Sequence, residues 1–270
     1  MTAKKKLLIM AGVIVAVVAI VAGSVLGTIA YMTSASKVSN VFTVGNVKIT
    51  LDESVVNNEG KIVDRTNRTD RNSYHLMPGK SYDKDPQIHV QADTESCYLF
   101  LVTRNQILDI EVQDDPNKPT MRQQMVQNGW GIYKTTTAGS VVWIYCGSSD
   151  NVYHNATATD AANYAAKGSE NYMHAKTPVA VCGTSRDVST EDNIFAKTDI
   201  NVFSEFHITT GESANLSIYA GAEVTINAVG IQCDSFGAVG SESAVNAAWT
   251  AVVNQFPYIQ DDVATTENNG

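Results

Sequence analysis

Alternation with a period of two dominates the chain after residue 40, and it constrains the fold more than any other feature. In NVKITLDE, Val47, Ile49 and Leu51 alternate with Lys48, Thr50 and Asp52. Successive side chains of an extended strand point to opposite faces, so this stretch reads as a strand with one buried and one wet face. Val47, Ile49 and Leu51 are the expected core of this first strand. YLFLVTR, VVWIYC, NIFAKTDINVF, NLSIYA and EVTINAVGIQ read the same way. Between them lie Gly, Asn, Asp and Pro clusters such as NNEG, MPGK and DDPNKP, which supply the positive φ or fixed φ of tight turns.

Helical signals are sparse. PTMRQQMVQNGW forms a short helix with Pro119 at its start, and the Ala-rich ATDAANYAAKG forms another that ends at Gly168. Near the C-terminus, Ser241 or Ser243 caps AVNAAWTAVVNQF, whose Ala244, Ala248, Trp249, Val252 and Phe256 share one apolar face. Many strands, long connections and few helices predict an all-β fold, an antiparallel two-sheet jelly-roll-like sandwich with short helical insertions. No repeat and no mid-chain composition shift marks a second domain.

The first 32 residues differ in kind. Lys4, Lys5 and Lys6 precede an almost uncharged run from Leu7 to Met32. That run is long enough to span a bilayer as an anchor. It also has the basic start and small-residue end of a signal peptide, with the cut expected between Ala30 and Tyr31. Either way the chain is exported. The expected organisation is a signal peptide over 1–30, an arm over 31–41, a β domain over 42–258 and a flexible acidic tail over 259–270. The membrane is met only through the N-terminal segment before cleavage.

Charge excludes one class of partner. Cleavage removes three of the 19 basic residues and none of the 28 acidic ones, leaving a formal charge of −12. Such a surface repels phosphates and no basic cluster overrides it, so no nucleic-acid binding is expected. The charge keeps the exported chain soluble or offers a surface for bound cations. Cys97, Cys146, Cys182 and Cys233 lie far apart with no C-x-x-C pair. Two disulfides and four buried thiols both fit that spacing.

Three stretches carry a family resemblance. The first is NVFTVGNVKITLDE, with Phe42, Gly45, Val47, Ile49 and Leu51 in an F-x-x-G-x-V-x-I-x-L pattern. The second is MPGKSYDKDPQIHV, with Pro78, Gly79, Lys84, Pro86 and Ile88; the third is VTINAVGIQCDSF, followed by a Trp-containing helix. Together with the lysine-led apolar start, they resemble the TasA/camelysin family of exported proteins processed by a SipW-type signal peptidase. The resemblance implies a jelly-roll protein of the cell surface or biofilm matrix that polymerises by donor-strand exchange. The arm of one subunit would then complete the sheet of the next. Partners would be further copies of the chain, head to tail, and related matrix subunits. Tyr31 to Val41 contain no Pro or Gly to interrupt pairing. Of the two alternating sets in this arm, Met32, Ser34, Ser36 and Val38 are the expected inward one, because the other would bury Lys37.

Two other readings compete: a monomeric, membrane-anchored surface or adhesive module, and a metallopeptidase, since camelysin-like members have been so classed. A zinc peptidase of the usual kind needs two His one helical turn apart with a Glu between them. His75, His89, His154, His174 and His207 have no such spacing. No nucleophile elbow, phosphate loop or dinucleotide turn is present, and the aspartates of SYDKDP and Asp114-Asp115 lack the spacing of a calcium loop. No catalytic residue, metal or cofactor is expected, and the reading is a secreted structural protein rather than an enzyme.

Overall fold

The computed structural model describes residues 33–113, 115–136, 139–148, 151, 177–210 and 216–260. Within them the protein is all-β, with its strands in several largely antiparallel sheets and two α-helices. The expected signal segment with its predicted Ala30–Tyr31 cut, the Ala-rich 158–168 stretch and residues 261–270 lie outside the described residues. Among the described residues no helix is long and apolar enough to cross a membrane.

The larger sheet is built on two nine-residue strands, β7 (Cys97–Asn105) and β14 (Val224–Gln232), antiparallel over their full length. Beyond β14 come β1 (Thr33–Val44) and then β4 (Arg71–His75). The far edge of β7 is shared. Phe100–Thr103 pair with β9 (Val141–Tyr145), which pairs with β8 (Trp130–Thr135), and Cys97 pairs with β10 (Ala180–Cys182), which pairs with β11 (Ile194–Ala196). A smaller sheet runs in the order β12 (Asp199–Asn201), β6 (Gln87–Val90), β2 (Ile49–Ser54), β3 (Arg68–Thr69). Two short strands, β5 (Ser81–Asp83) and β13 (Glu205–His207), pair separately.

The smaller sheet lies on one face of the larger. A Cβ added at Gly230 of β14 would come within 2.6 Å of Val47 and 3.2 Å of Ile49, so the missing side chain is what lets β2 approach. Helix α1 (Met121–Gln127) begins at a capping box in which Thr120 and Gln123 each serve the other's backbone N–H. Helix α2 (Glu242–Gln255) is capped by Ser241, whose Oγ accepts from Ala244 N. It covers the opposite face, where its Trp249 packs on Phe100 with centroids 5.1 Å apart. Phe100 and Leu99 point to opposite sides of β7. This double cover explains why β7 from Cys97 to Val102, β9 throughout and most of β14 are buried on both faces instead of alternating.

Three expectations are corrected. NLSIYA is not a strand: Leu216–Tyr219 form a 3-10 turn that ends in a bend at Gly221, φ 76°, and β14 starts only at Val224. NIFAKTDINVF is split, because β11 joins the large sheet and β12 the small one. The pairing is also not uniformly antiparallel, since β1 with β14 and β10 with β11 run parallel. All four cysteines are buried free thiols. Burial pushes Cys233 up to about 11 and Cys146 to about 12, so they pack as small hydrophobes and are poor nucleophiles.

Candidate assembly site: the β1 slot and its frame

β1 runs from Thr33 to Val44, so the arm and the first residues of the expected domain form one continuous strand. Its N-terminal half pairs antiparallel with β4, Thr33 opposite His75 through Lys37 opposite Arg71. Its C-terminal half pairs parallel with β14, Lys37 opposite Thr225 through Val44 opposite Ile231, with an irregularity between Val38 and Asn40. Among the donor-strand candidates, Ser34 and Ser36 sit at register positions opposite Tyr74 and Asn72, and Val38 opposite Ile226. Met32, like Ala30 and Tyr31, lies outside the described residues. In this single chain the arm occupies a slot between β4 and β14 of its own sheet.

Both walls of the slot have other supports. β14 is held by its nine-residue ladder to β7. β4 is tied to β2 and β5 by side chains. Asn72 accepts from Val56 N at 3.0 Å and donates to Ser54 O at 2.8 Å. The Tyr74 hydroxyl donates to Asp83 O at 2.8 Å, and the Tyr82 hydroxyl donates to His75 O at 2.6 Å while accepting from Met77 N at 2.7 Å. Tyr74, Tyr82 and Phe206 pack ring against ring behind them. At the domain end of β1, Phe42 meets Phe256 at 4.9 Å, and the turn at Gly45 takes φ 83° so that Asn46 N reaches Gln232 Oε1. Beyond that turn Val47, Ile49 and Leu51 are buried.

The same frame carries an ion network that joins LDES of β2 to YDKDP after β5. Glu53 Oε2 and Lys84 Nζ are 2.5 Å apart, and both side chains are 0 % exposed. Ser54 donates to Asp85 through its N–H at 2.7 Å and its hydroxyl at 2.8 Å, and Asp85 also accepts from Arg65 at 2.9 Å. Arg68 reaches Asp52 at 2.6 Å and the Ser54 hydroxyl at 2.9 Å. On the outer face His89 lies between Asp52 at 2.9 Å and Asp199 at 2.6 Å. Burial works against the charged imidazole, but the hydrogen bonds and charges of both aspartates outweigh it and hold its pKa above the usual value.

Sequence reasoning quoted Lys84 and left Glu53 unassigned, although the signal was there. Glu53 follows Val47, Ile49 and Leu51 in the same alternating phase, so it must point inward and needs a buried cation.

A further polar cluster surrounds His207. His207 is buried, with Nδ1 2.7 Å from Ser81 Oγ and Nε2 3.5 Å from Glu205. The amides near Ser81 are engaged, Gly79 N–H donating to Ile208 O and Thr209 O, and Lys80 N–H to Met77 O. They therefore offer no pair of free donors for an oxyanion. Among the described residues no three His, Cys, Asp or Glu are grouped to hold a metal ion, and His154 and His174 lie outside them.

Glu111 is a further buried carboxyl that the sequence did not reveal. It accepts from Met121 N at 3.0 Å and Asn105 Nδ2 at 2.8 Å, yet burial outweighs these bonds and the Arg122 charge and pushes it up to about 7. The folded chain thus keeps a proton that the unfolded chain, near 4.5, has released. Its stabilising contribution is complete below pH 4.5, declines as pH rises and is gone above 7, a loss of about 3 kcal/mol. His89, also raised, adds a loss of the same sign. Thermal melts from pH 5 to 8 should show Tm falling with pH, and Glu111→Gln should flatten that slope even if it lowers Tm throughout. An unchanged slope would refute this assignment.

No protein-family model, curated protein or solved structure matches this chain.

Proposed function

We propose that this is an exported structural protein, a jelly-roll-like subunit that polymerises into extracellular or biofilm-matrix fibres by donor-strand exchange. The observation that carries this reading is β1, which fills a slot whose two walls are both held by other contacts. Once vacated, a slot framed in that way would offer unpaired backbone groups to any copy of the same strand, including one from a neighbouring subunit. Such pairing is head to tail and does not close, so a filament follows from its symmetry. The resemblance of three stretches to TasA/camelysin-like motifs supports the same reading.

One observation favours a second reading. β1 is seated in its own chain, as expected of a monomeric surface module that completes its own sheet. Negative-stain microscopy of the chain lacking its apolar N-terminal segment separates the two, filaments supporting exchange and isolated particles the monomer. Ser36→Pro gives the second arm of the test. Proline fixes φ and cannot donate to the ladder opposite Asn72. It should abolish filaments while far-UV circular dichroism still reports a folded β protein, and undiminished filaments would refute the arm's role.

A further inference from the structure

The Glu53–Lys84 pair is fully buried. Neither side chain has any solvent exposure, Nζ and Oε2 are 2.5 Å apart, and Glu53 Oε1 has no hydrogen-bond partner among the described residues. Near the pair lies Tyr74, whose hydroxyl feels the charges of Glu53 and Asp85 and whose ring packs in turn on Tyr82 and Phe206. We propose that Lys84 and Glu53 condense to an intramolecular isopeptide bond that staples the end of β2 to the segment between β5 and β6.

Each chemical requirement is met by a group in place. An amine must be neutral to attack, and a buried ammonium is the costly form. Desolvation accordingly lowers the Lys84 pKa, against the opposing pull of Glu53 and Asp85. Transfer of one proton from Lys84 to Glu53 turns the ion pair into an amine and a carboxylic acid. The contact then places Nζ about 3 to 3.5 Å from the Glu53 Cδ, the separation of a near-attack conformer, for which effective molarities reach about 10⁵ M or more. The Nζ–Cδ bond forms, one Cδ–Oε bond breaks, and that oxygen leaves as water with two of the three ammonium protons. The third stays on the amide nitrogen. No oxidant or co-reactant is needed. Asp85, close enough to act on the charge of Lys84, is a further carboxylate that could relay a proton.

The product also resolves the geometry's main cost. A buried carboxylate with one orphaned oxygen becomes an uncharged amide with a single oxygen to satisfy. The bond would close a loop between residues 31 positions apart in sequence. That loop holds β3, β4 and β5, the wall of the β1 slot on the side away from β14. The cross-link is independent of which chain supplies the strand in that slot.

The test is intact-mass spectrometry of the purified, folded chain, followed by peptide mapping. The expected mass is lower than that of the sequence, whatever its N-terminus, by one water, about 18 Da. Digestion should yield one branched peptide containing both Lys84 and Glu53. Lys84→Arg keeps the charge but cannot condense, and should restore the full mass and two separate peptides. Glu53→Gln should still react, losing ammonia instead. If neither variant folds, the branched peptide of the unaltered chain decides alone. A folded chain of full mass that yields separate Lys84 and Glu53 peptides would overturn the proposal.

Discussion

A chain beginning at Phe42 should fold and stay monomeric under conditions in which the chain with its arm forms filaments. The truncation removes residues 33–41 of β1, and with them every backbone pair to β4 and those to β14 from Thr225 to Ala228. What remains is Phe42–Val44 against Val229–Ile231, the Phe42–Phe256 contact and the core under Val47, Ile49 and Leu51. Each lost ladder bond is worth about 1 kcal/mol net, so the shortened subunit is several kcal/mol less stable than the self-completed one. The wall formed by β4 keeps its side-chain ties through Asn72, Tyr74 and Tyr82, so the slot remains framed. Its edges are then open beyond Phe42, and a synthetic peptide of residues 31–41 should bind there and raise the melting temperature. Light scattering and microscopy read the filaments, and circular dichroism reads the fold. Filaments of normal length and number from the truncated chain would make the arm a linker.

The single-chain structure adds a kinetic expectation. If β1 starts in its own slot, exchange requires it to leave before a neighbour's strand enters, as in domain swapping. Assembly should therefore show a lag that shortens under mild destabilisation.

The second large effect concerns the buried pair. Lys84→Met removes the charge paired with Glu53 at a fully buried position, and stranding one partner of a buried ion pair costs about 3 to 5 kcal/mol. Adding Glu53→Leu removes the stranded carboxylate, and the double variant should be more stable than Lys84→Met by about that same 3 to 5 kcal/mol. The comparison between single and double variants holds whether the pair is ionic or condensed, since neither variant can form the amide. Urea denaturation with a constant m-value measures it. A double variant no more stable than the single would mean that Glu53 tolerates burial without Lys84.

What the chain reveals by itself is local. The phase of Val47, Ile49 and Leu51 settles which face of β2 is inward, and the same phase sends Glu53 inside. NNEG and MPGK mark turns, where Gly60 and Gly79 both take φ 71°. The C-terminal helix is legible from its cap at Ser241 and its Ala244, Ala248, Trp249, Val252 stripe, all four buried. Each of these depends on side chains a few residues apart, so a short window contains the whole signal.

Partner choice has no such window. Nothing in residues 33–44 states that one half will pair antiparallel with β4 and the other parallel with β14, nearly 190 positions away, because backbone hydrogen bonding is the same for every neighbour. Only the assembled sheet decides it, through which strands are left with an open edge. Double burial of β7 and β9 likewise follows from what lies on each face, the small sheet on one side and α2 on the other, and periodicity cannot announce a second cover. The pairing of Glu53 with Lys84 joins both kinds of information. The sequence requires a buried partner for that carboxylate, and the tertiary structure alone selects it, because desolvation makes a charge demand a counter-charge without specifying where in the chain it comes from.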